Sequence, residues 1–308
     1  MAMPLRLYGC ITALVTPFDE SGAIDPRAWR RLLHGQRDAG IHGLVVAGST
    51  GEAAMLSPAE FGALIRDAVD VAAGGLPVLA GAGLSATVAT IEQCRRARDA
   101  GADGLLVVTP PYVRPTQEGL RRHFEAVAEA LDAPIVLYNV PPRTGVDLLP
   151  ETVALLATDP RIVAIKEAVP DTARMAALLA LQGEHFAVLG GDDASACEAQ
   201  LAGADGVVSV ASNVAPATLV RLSSLARAAD ARGARELNGE LVTLYRALAL
   251  ESNPIAVKAI LAELGLCADC LRLPLVPLSS THRAAATLAA REARALEARF
   301  LSNPSTQP

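Results

Sequence analysis

Eight short apolar runs, each followed by a segment of helix length, constrain the fold more than any other feature of this 308-residue chain. They are Cys10 to Val15, Gly43 to Ala47, Pro77 to Gly81, Gly104 to Val108, Pro134 to Tyr138, Ile162 to Lys166, Ala187 to Gly190 and Gly206 to Val210. Runs this continuous suit parallel strands covered on both faces, and parallel neighbours need crossover segments between them. Helix start signals stand in those crossovers: Asp25-Pro26, the capping-box spacing of Ser57-Pro58-Ala59-Glu60, and Asp171-Thr172. Three joints into the next strand nearly repeat: Asp38-Ala-Gly-Ile-His-Gly-Leu, Asp99-Ala-Gly-Ala-Asp-Gly-Leu and Leu201-Ala-Gly-Ala-Asp-Gly-Val. Each offers a glycine that can take a left-handed helix cap.

Eight such units, spaced about 20 to 35 residues apart, predict a (β/α)8 TIM barrel over residues 1–230 with its chemistry at the C-terminal ends of the strands. A doubly wound sheet is the alternative. It would want a glycine-rich turn after its first strand, and Leu14-Val15-Thr16-Pro17-Phe18 is not one. After Val214 the pattern is purely helical, near Pro216 to Ala231, Ala234 to Leu250, Pro254 to Leu264 and Ser280 to Leu301. That exceeds one barrel helix, so a C-terminal helical subdomain is expected over 231–301 and a disordered tail over 302–308.

The 51% apolar and 3% aromatic content suits an α/β enzyme with an aliphatic core. A net charge of −6 argues against nucleic acid or an anionic membrane surface as partner. Apolar stretches are strand-sized, so no membrane span is expected, and Met1 to Tyr8 is not followed by a signal-peptide core. The five cysteines are scattered and odd in number, which fits reduced thiols and a cytoplasmic protein. Only Cys267-Ala-Asp-Cys270 has metal or redox spacing; lacking a second ligand pair, it reads as a loop. Neither a cofactor nor a metal is expected.

Of 27 basic residues only Lys166 and Lys258 are lysine, so arginine is used wherever a plain positive charge suffices. Arginine keeps its proton, whereas a desolvated lysine can lose one and attack a carbonyl. Lys166 ends one apolar run and Tyr138 ends the run before it. In a barrel those ends lie about 4.8 Å apart, close enough for a phenol to shuttle protons to a lysine-bound intermediate. The structural alternative is a lysine reaching from a strand end to pair with Glu167. Gly48-Ser49-Thr50-Gly51 offers backbone N–H groups and two hydroxyls for a carboxylate, or is simply a turn. Arg143, on Pro141-Pro142-Arg143-Thr144-Gly145, presents a fork to a second carboxylate, or is a surface ion-pair residue. Adjacent Asp192 and Asp193 would repel phosphate, which favours a helix N-cap role for one of them.

Together these residues resemble the dihydrodipicolinate synthase / N-acetylneuraminate lyase family of class I aldolase-type barrels. The resemblance runs from about Gly9 to Pro277 and rests on Gly48-Ser-Thr-Gly-Glu52, Thr109-Pro-Pro-Tyr112 with Arg114-Pro115, Tyr138-Asn-Val-Pro-Pro-Arg143-Thr-Gly, Ile165-Lys-Glu167, Gly191-Asp-Asp-Ala-Ser195 and Asn253-Pro-Ile-Ala-Val-Lys258. It implies that Lys166 forms a Schiff base with pyruvate and that Tyr138 relays protons with help from the hydroxyls of Ser49 and Tyr112. It further implies that Thr50 holds the pyruvate carboxylate, with the main chain at Val208 facing the same pocket. Tyr112 would cross a tight dimer interface, in a homo-oligomer expected to be a tetramer of such dimers.

An arginine matching Arg143 is typical of the synthase branch of the family, where it grips the carboxylate of L-aspartate 4-semialdehyde. The resemblance therefore implies condensation of that aldehyde with pyruvate to 4-hydroxy-tetrahydrodipicolinate, in lysine and diaminopimelate biosynthesis. Ser49 departs from the threonine of regulated bacterial synthases and matches the serine of sialic-acid lyases, which keeps open a pyruvate-releasing 2-oxo acid aldolase. A non-catalytic 2-oxo acid-binding barrel is a third reading, and it gives no reason for an amine at a strand end. Lysine-inhibited relatives line an allosteric pocket with serine, histidines, asparagine, glutamate and tyrosine. The matching positions here are Ala53, Pro58, Phe61, Ser85, Ala89 and Pro111, so inhibition by lysine is not expected.

Overall fold

Residues 5–301 are described in the structure, a computed structural model; the tail expected over 302–308 lies outside them. The eight apolar runs form β1 (Gly9–Ala13), β2 (Gly43–Val46), β3 (Val78–Ala82), β4 (Gly104–Val108), β5 (Ile135–Asn139), β6 (Ile162–Glu167), β7 (Ala187–Gly190) and β8 (Gly206–Ser209). They close into a parallel barrel in sequence order, with β8 returning to β1. Because helices cover the outer face, both sides of each strand are dry, which is why the runs lack polar alternation. The barrel interior packs Ile11, Val45, Leu79, Leu106, Val136, Ala164, Leu189 and Val208. It is a filled core with its chemistry pushed to the rim.

The crossovers are α1 (Pro26–Asp38), α2 (Pro58–Ala72), α3 (Thr87–Asp99), α4 (Gln117–Ala130), the short α5 (Pro141–Thr144), α6 (Pro150–Leu156), α7 (Thr172–Leu179) and α8 (Asp193–Leu201). Asp25 accepts from the N–H groups of Arg27 and Ala28, Ser57 and Glu60 complete a reciprocal capping box, and Asp171 accepts from Arg174 N–H. Asp192 caps α8 through Ser195 N–H, the role favoured for one of the two aspartates. In the three repeated joints Gly40, Gly101 and Gly203 all take positive φ.

Helix α9 (Pro216–Arg227) closes the barrel, and α10 (Ala231–Glu240), α11 (Val242–Leu248), α12 (Ile255–Glu263) and α13 (Arg283–Leu301) follow. The single helix expected over Ala234 to Leu250 is two, joined at Leu241. Asn238 and Gly239, both poor helix formers, precede the joint, and the Tyr245 hydroxyl bonds the Asn238 side chain across it. Helix α9 has no side-chain cap of its own. Glu297 of α13 supplies one, accepting from the N–H groups of Ala217 and Thr218 at 2.7 and 2.9 Å.

Candidate active site

Tyr138 on β5 lies opposite Lys166 on β6 in the strand register, so the two side chains leave the barrel rim at one level. Ala164, two residues earlier on β6, points into the same interior and leaves room for the lysine stem. Lys166 Nζ stands 4.2 Å from the Tyr138 ring centroid, and the lysine is 4% exposed. Among the described residues no carboxylate forms an ion pair with it. Glu167 faces the other way: its carboxylate accepts from Asn139 Nδ2 at 3.0 Å, Val169 N–H at 2.7 Å and Arg174 Nη1 at 3.4 Å. Burial raises the Glu167 pKa. The lysine–glutamate pair that was the structural alternative for Lys166 is absent.

Two lobes of one cavity meet at Lys166. The first, of about 270 Å³, runs toward Leu84, Val108, Pro111 and Thr144. The second, of about 300 Å³, runs toward Asp192, Val210, Tyr245 and Asn253. Ser49, Thr50, Tyr138, Arg143 and Lys166 line both.

The Ser49–Thr50 loop is tightly made. Gly51 and Ala53 N–H donate to Gly48 O, and Glu52 N–H to Ser49 O. Ala47 and Glu52 hold positive φ without being glycine. Gly81 lies so close beneath the turn that a Cβ there would sit 2.4 Å from Ala47 O. Thr50 is 2% exposed, and its hydroxyl accepts from Asn253 Nδ2 at 2.9 Å. Pro141 and Pro142 open α5 with fixed φ, and Arg143 follows, exposed, its Nη2 donating to Asn253 O at 2.9 Å.

Two expected residues stand apart from this group. Val208 is buried in the barrel interior below the cavity, whose lining near β8 is Val210. Tyr112 holds φ +74°, is 91% exposed and lines neither lobe. All five cysteines are free thiols, and Cys267 and Cys270 lie outside any helix or strand. Among the described residues no group of three His, Cys, Asp or Glu is suited to a metal ion, and no helix is long and apolar enough to cross a membrane.

The sequence profile of the Dihydrodipicolinate synthetase family matches residues 6–293. The chain belongs to that family. It is 54% identical over 294 residues to a 4-hydroxy-tetrahydrodipicolinate synthase of Stenotrophomonas maltophilia (strain R551-3), covering 96% of this chain and 99% of the relative. It is 55% identical over 294 residues to the enzyme of that name from Xanthomonas axonopodis pv. citri (strain 306), covering 96% and 97%. Among solved structures, the chloride-inhibited dihydrodipicolinate synthase from Acinetobacter baumannii, complexed with pyruvate, superposes with a TM-score of 0.92 at 42% identity, covering 94% of this chain and 99% of that one.

Two further residues of this dihydrodipicolinate synthetase family member shape the site without having been assigned a role from the sequence. Asp193 accepts from Ser209 Oγ and from the N–H groups of Val210 and Ala211, fixing the loop after β8. Burial raises its pKa. Asn253 bridges the Thr50 hydroxyl and, through its own carbonyl, Arg143. Only the Asp pair hinted at the first, and nothing local in Asn253-Pro254 signals the second.

Proposed function

We propose that this chain condenses pyruvate with L-aspartate 4-semialdehyde, giving 4-hydroxy-tetrahydrodipicolinate, with Lys166 as the Schiff-base nucleophile. The observation that carries the reading is a nearly buried lysine, free of carboxylate partners, 4.2 Å from a phenol ring in a cavity at the strand ends. The amine adds to the pyruvate ketone, and loss of water leaves an imine. Thr50, through its hydroxyl and its backbone N–H, holds the pyruvate carboxylate beside it. A methyl proton leaves toward the Tyr138 phenol, with Ser49 as a further hydroxyl, and the resulting enamine carbon attacks the aldehyde. Arg143 grips the carboxylate of the aldehyde substrate. Its free amine then closes on the imine carbon, and the Lys166 C–N bond breaks to return the enzyme.

Borohydride reduction in the presence of pyruvate is expected to trap an adduct on Lys166. An adduct that persists in Lys166→Ala, or that maps to Lys258, overturns the assignment. A substrate panel separates the synthase reading from a 2-oxo acid lyase: cleavage of a sugar acid far faster than condensation would favour the lyase.

The same reading has residues 1–230 as the catalytic barrel and 231–301 as a C-terminal helical subdomain. It makes the protein a cytoplasmic homo-oligomer, a tetramer of tight dimers. Exposed Val88, Tyr112 and Val113 support the dimer, because apolar side chains this open at one end of a barrel suit a covered surface. In that assembly Tyr112 reaches the partner's cavity, not its own. Sedimentation as a monomer with full activity would remove both claims.

A further inference from the structure

Lys258, the second of the two lysines, is 0% exposed, on helix α12. Its ammonium bonds Glu52 Oε1, donates to Cys270 O at 2.7 Å and stands 4.2 Å from the Phe18 ring centroid. The other Glu52 oxygen accepts from Arg272 N–H at 3.1 Å, and the Arg272 guanidinium lies 4.3 Å from the same ring. Glu52 is itself 1% exposed and ends the Gly48–Glu52 turn in a left-handed conformation. Such a conformation is strained for a residue with a Cβ and persists only when its surroundings fix it. Here a buried cation and a backbone N–H hold both carboxylate oxygens.

A buried ion pair is poor evidence for stability as such, because an apolar pair of similar volume often does as well. What it supplies is one fixed geometry, two residues from Thr50. Asn253, just before the helix that carries Lys258, donates to the Thr50 hydroxyl. The barrel loop is therefore clamped from the C-terminal helices at two points.

We propose that Lys258 is a positioning residue for pyruvate: through Glu52 it sets the Ser49–Thr50 loop in the conformation that receives the pyruvate carboxylate. The inference rests on the reading of Thr50 as the carboxylate-holding residue. Lys258 touches no substrate, so its loss should separate the two substrates instead of lowering activity uniformly.

The test compares pyruvate KM, aldehyde KM, kcat and thermal midpoint in wild type, Lys258→Met and Lys258→Met/Glu52→Gln. We expect Lys258→Met to raise pyruvate KM by about tenfold or more, the scale on which small misplacements of a binding group act. Aldehyde KM should change by less than about twofold, because Arg143 is bonded to the Asn253 carbonyl and to neither Glu52 nor Lys258. The double variant, with no unpaired buried charge, should recover part of the pyruvate KM. Should Lys258→Met not fold, Glu52→Asp keeps the charge, shortens the reach by one methylene and is expected to raise pyruvate KM likewise. A soluble variant with wild-type pyruvate KM, or one whose only change is a lower thermal midpoint with kcat falling in step, overturns the proposal. Failure of the wild type to form the borohydride adduct would instead count against the Lys166 mechanism, so the two results are distinguishable.

Discussion

At the scale of single residues, the proposed mechanism gives three residues of the barrel rim separate tasks. Lys166 has a phenol ring above it and no anion beside it, Thr50 has its hydroxyl fixed from outside the barrel, and Arg143 keeps donors besides the one bonded to Asn253 O. Tyr138→Phe removes the hydroxyl to which the proposed mechanism gives the acid–base step and leaves the ring, so the pyruvate imine should still form slowly while turnover falls by about 10². Near-normal turnover would take Tyr138 out of the relay. Arg143→Ala should raise aldehyde KM by roughly 10 to 100-fold, the cost of losing hydrogen bonds to a charged group, with pyruvate KM little changed. Steady-state kinetics with each substrate varied in turn would check it; equal loss for both would mean that Arg143 serves the loop and not the aldehyde. That Tyr138, Lys166, Thr50 and Arg143 would line one cavity was legible in the sequence, because Tyr138 and Lys166 are chemically odd ends of apolar runs and Thr50 and Arg143 stand on the loops that follow such runs. Asn253 and Lys258 were not, since their partners Thr50 and Glu52 lie 203 and 206 residues away. No local pattern encodes a contact of that span.

At the scale of elements, two helix contacts make stability predictions. Glu297 of α13 caps α9, which has no cap of its own. Glu297→Ala strands two buried N–H groups and should cost roughly 1–3 kcal/mol, read from urea midpoints. An unchanged midpoint would mean that water replaces the cap. His123 on α4 is buried, with Nδ1 within 3.0 Å of Thr87 Oγ1 on α3 and Nε2 unpartnered. Burial lowers its pKa from 6.5 to about 4. In the unfolded chain the ring gains a proton near pH 6.5 that the folded chain refuses until about pH 4. Its contribution is therefore complete above pH 6.5 and is lost as pH falls toward 4, by about 3 kcal/mol at most. Glu167, Asp193 and Glu297, raised by burial, act in the opposite sense over the acid range. The difference between wild type and His123→Gln isolates the histidine: the variant should lose less stability between pH 7 and 4.5, and parallel curves would show that the ring titrates alike in the folded and unfolded chain. The strands were readable almost to the residue, because parallel strands dry on both faces make continuous runs. The break at Leu241 was not, because the apolar spacing continues through it and the interruption comes from Asn238 and Gly239.

At the scale of the whole molecule, the proposed dimer would bring two copies together at the face around Pro111, and the chemistry of that face limits what it can bind. A free lysine presents an ammonium and a carboxylate, and burying either without a partner costs several kcal/mol. An inhibitory pocket therefore needs at least one anion and a set of donors. In this chain the positions that match such a pocket hold Ala53, Pro58, Phe61, Ser85, Ala89 and Pro111. None carries a carboxylate, Phe61 is buried in the core and Pro58 is committed to the first turn of α2. Ser85, the one hydroxyl, already donates to Pro111 O at 2.9 Å. Nothing in the set can neutralise the ammonium, and nothing but one engaged hydroxyl can meet the carboxylate. Condensation rate measured against added lysine should thus stay flat through millimolar concentrations, whereas the same assay with the pyruvate concentration lowered should respond in the ordinary way. Saturable inhibition, together with lysine bound at that interface, would mean that other side chains have rebuilt the pocket. A flat response leaves an enzyme whose flux is set by pyruvate and aldehyde supply, with the Ser85–Pro111 contact bracing the Tyr112 loop in place of an effector.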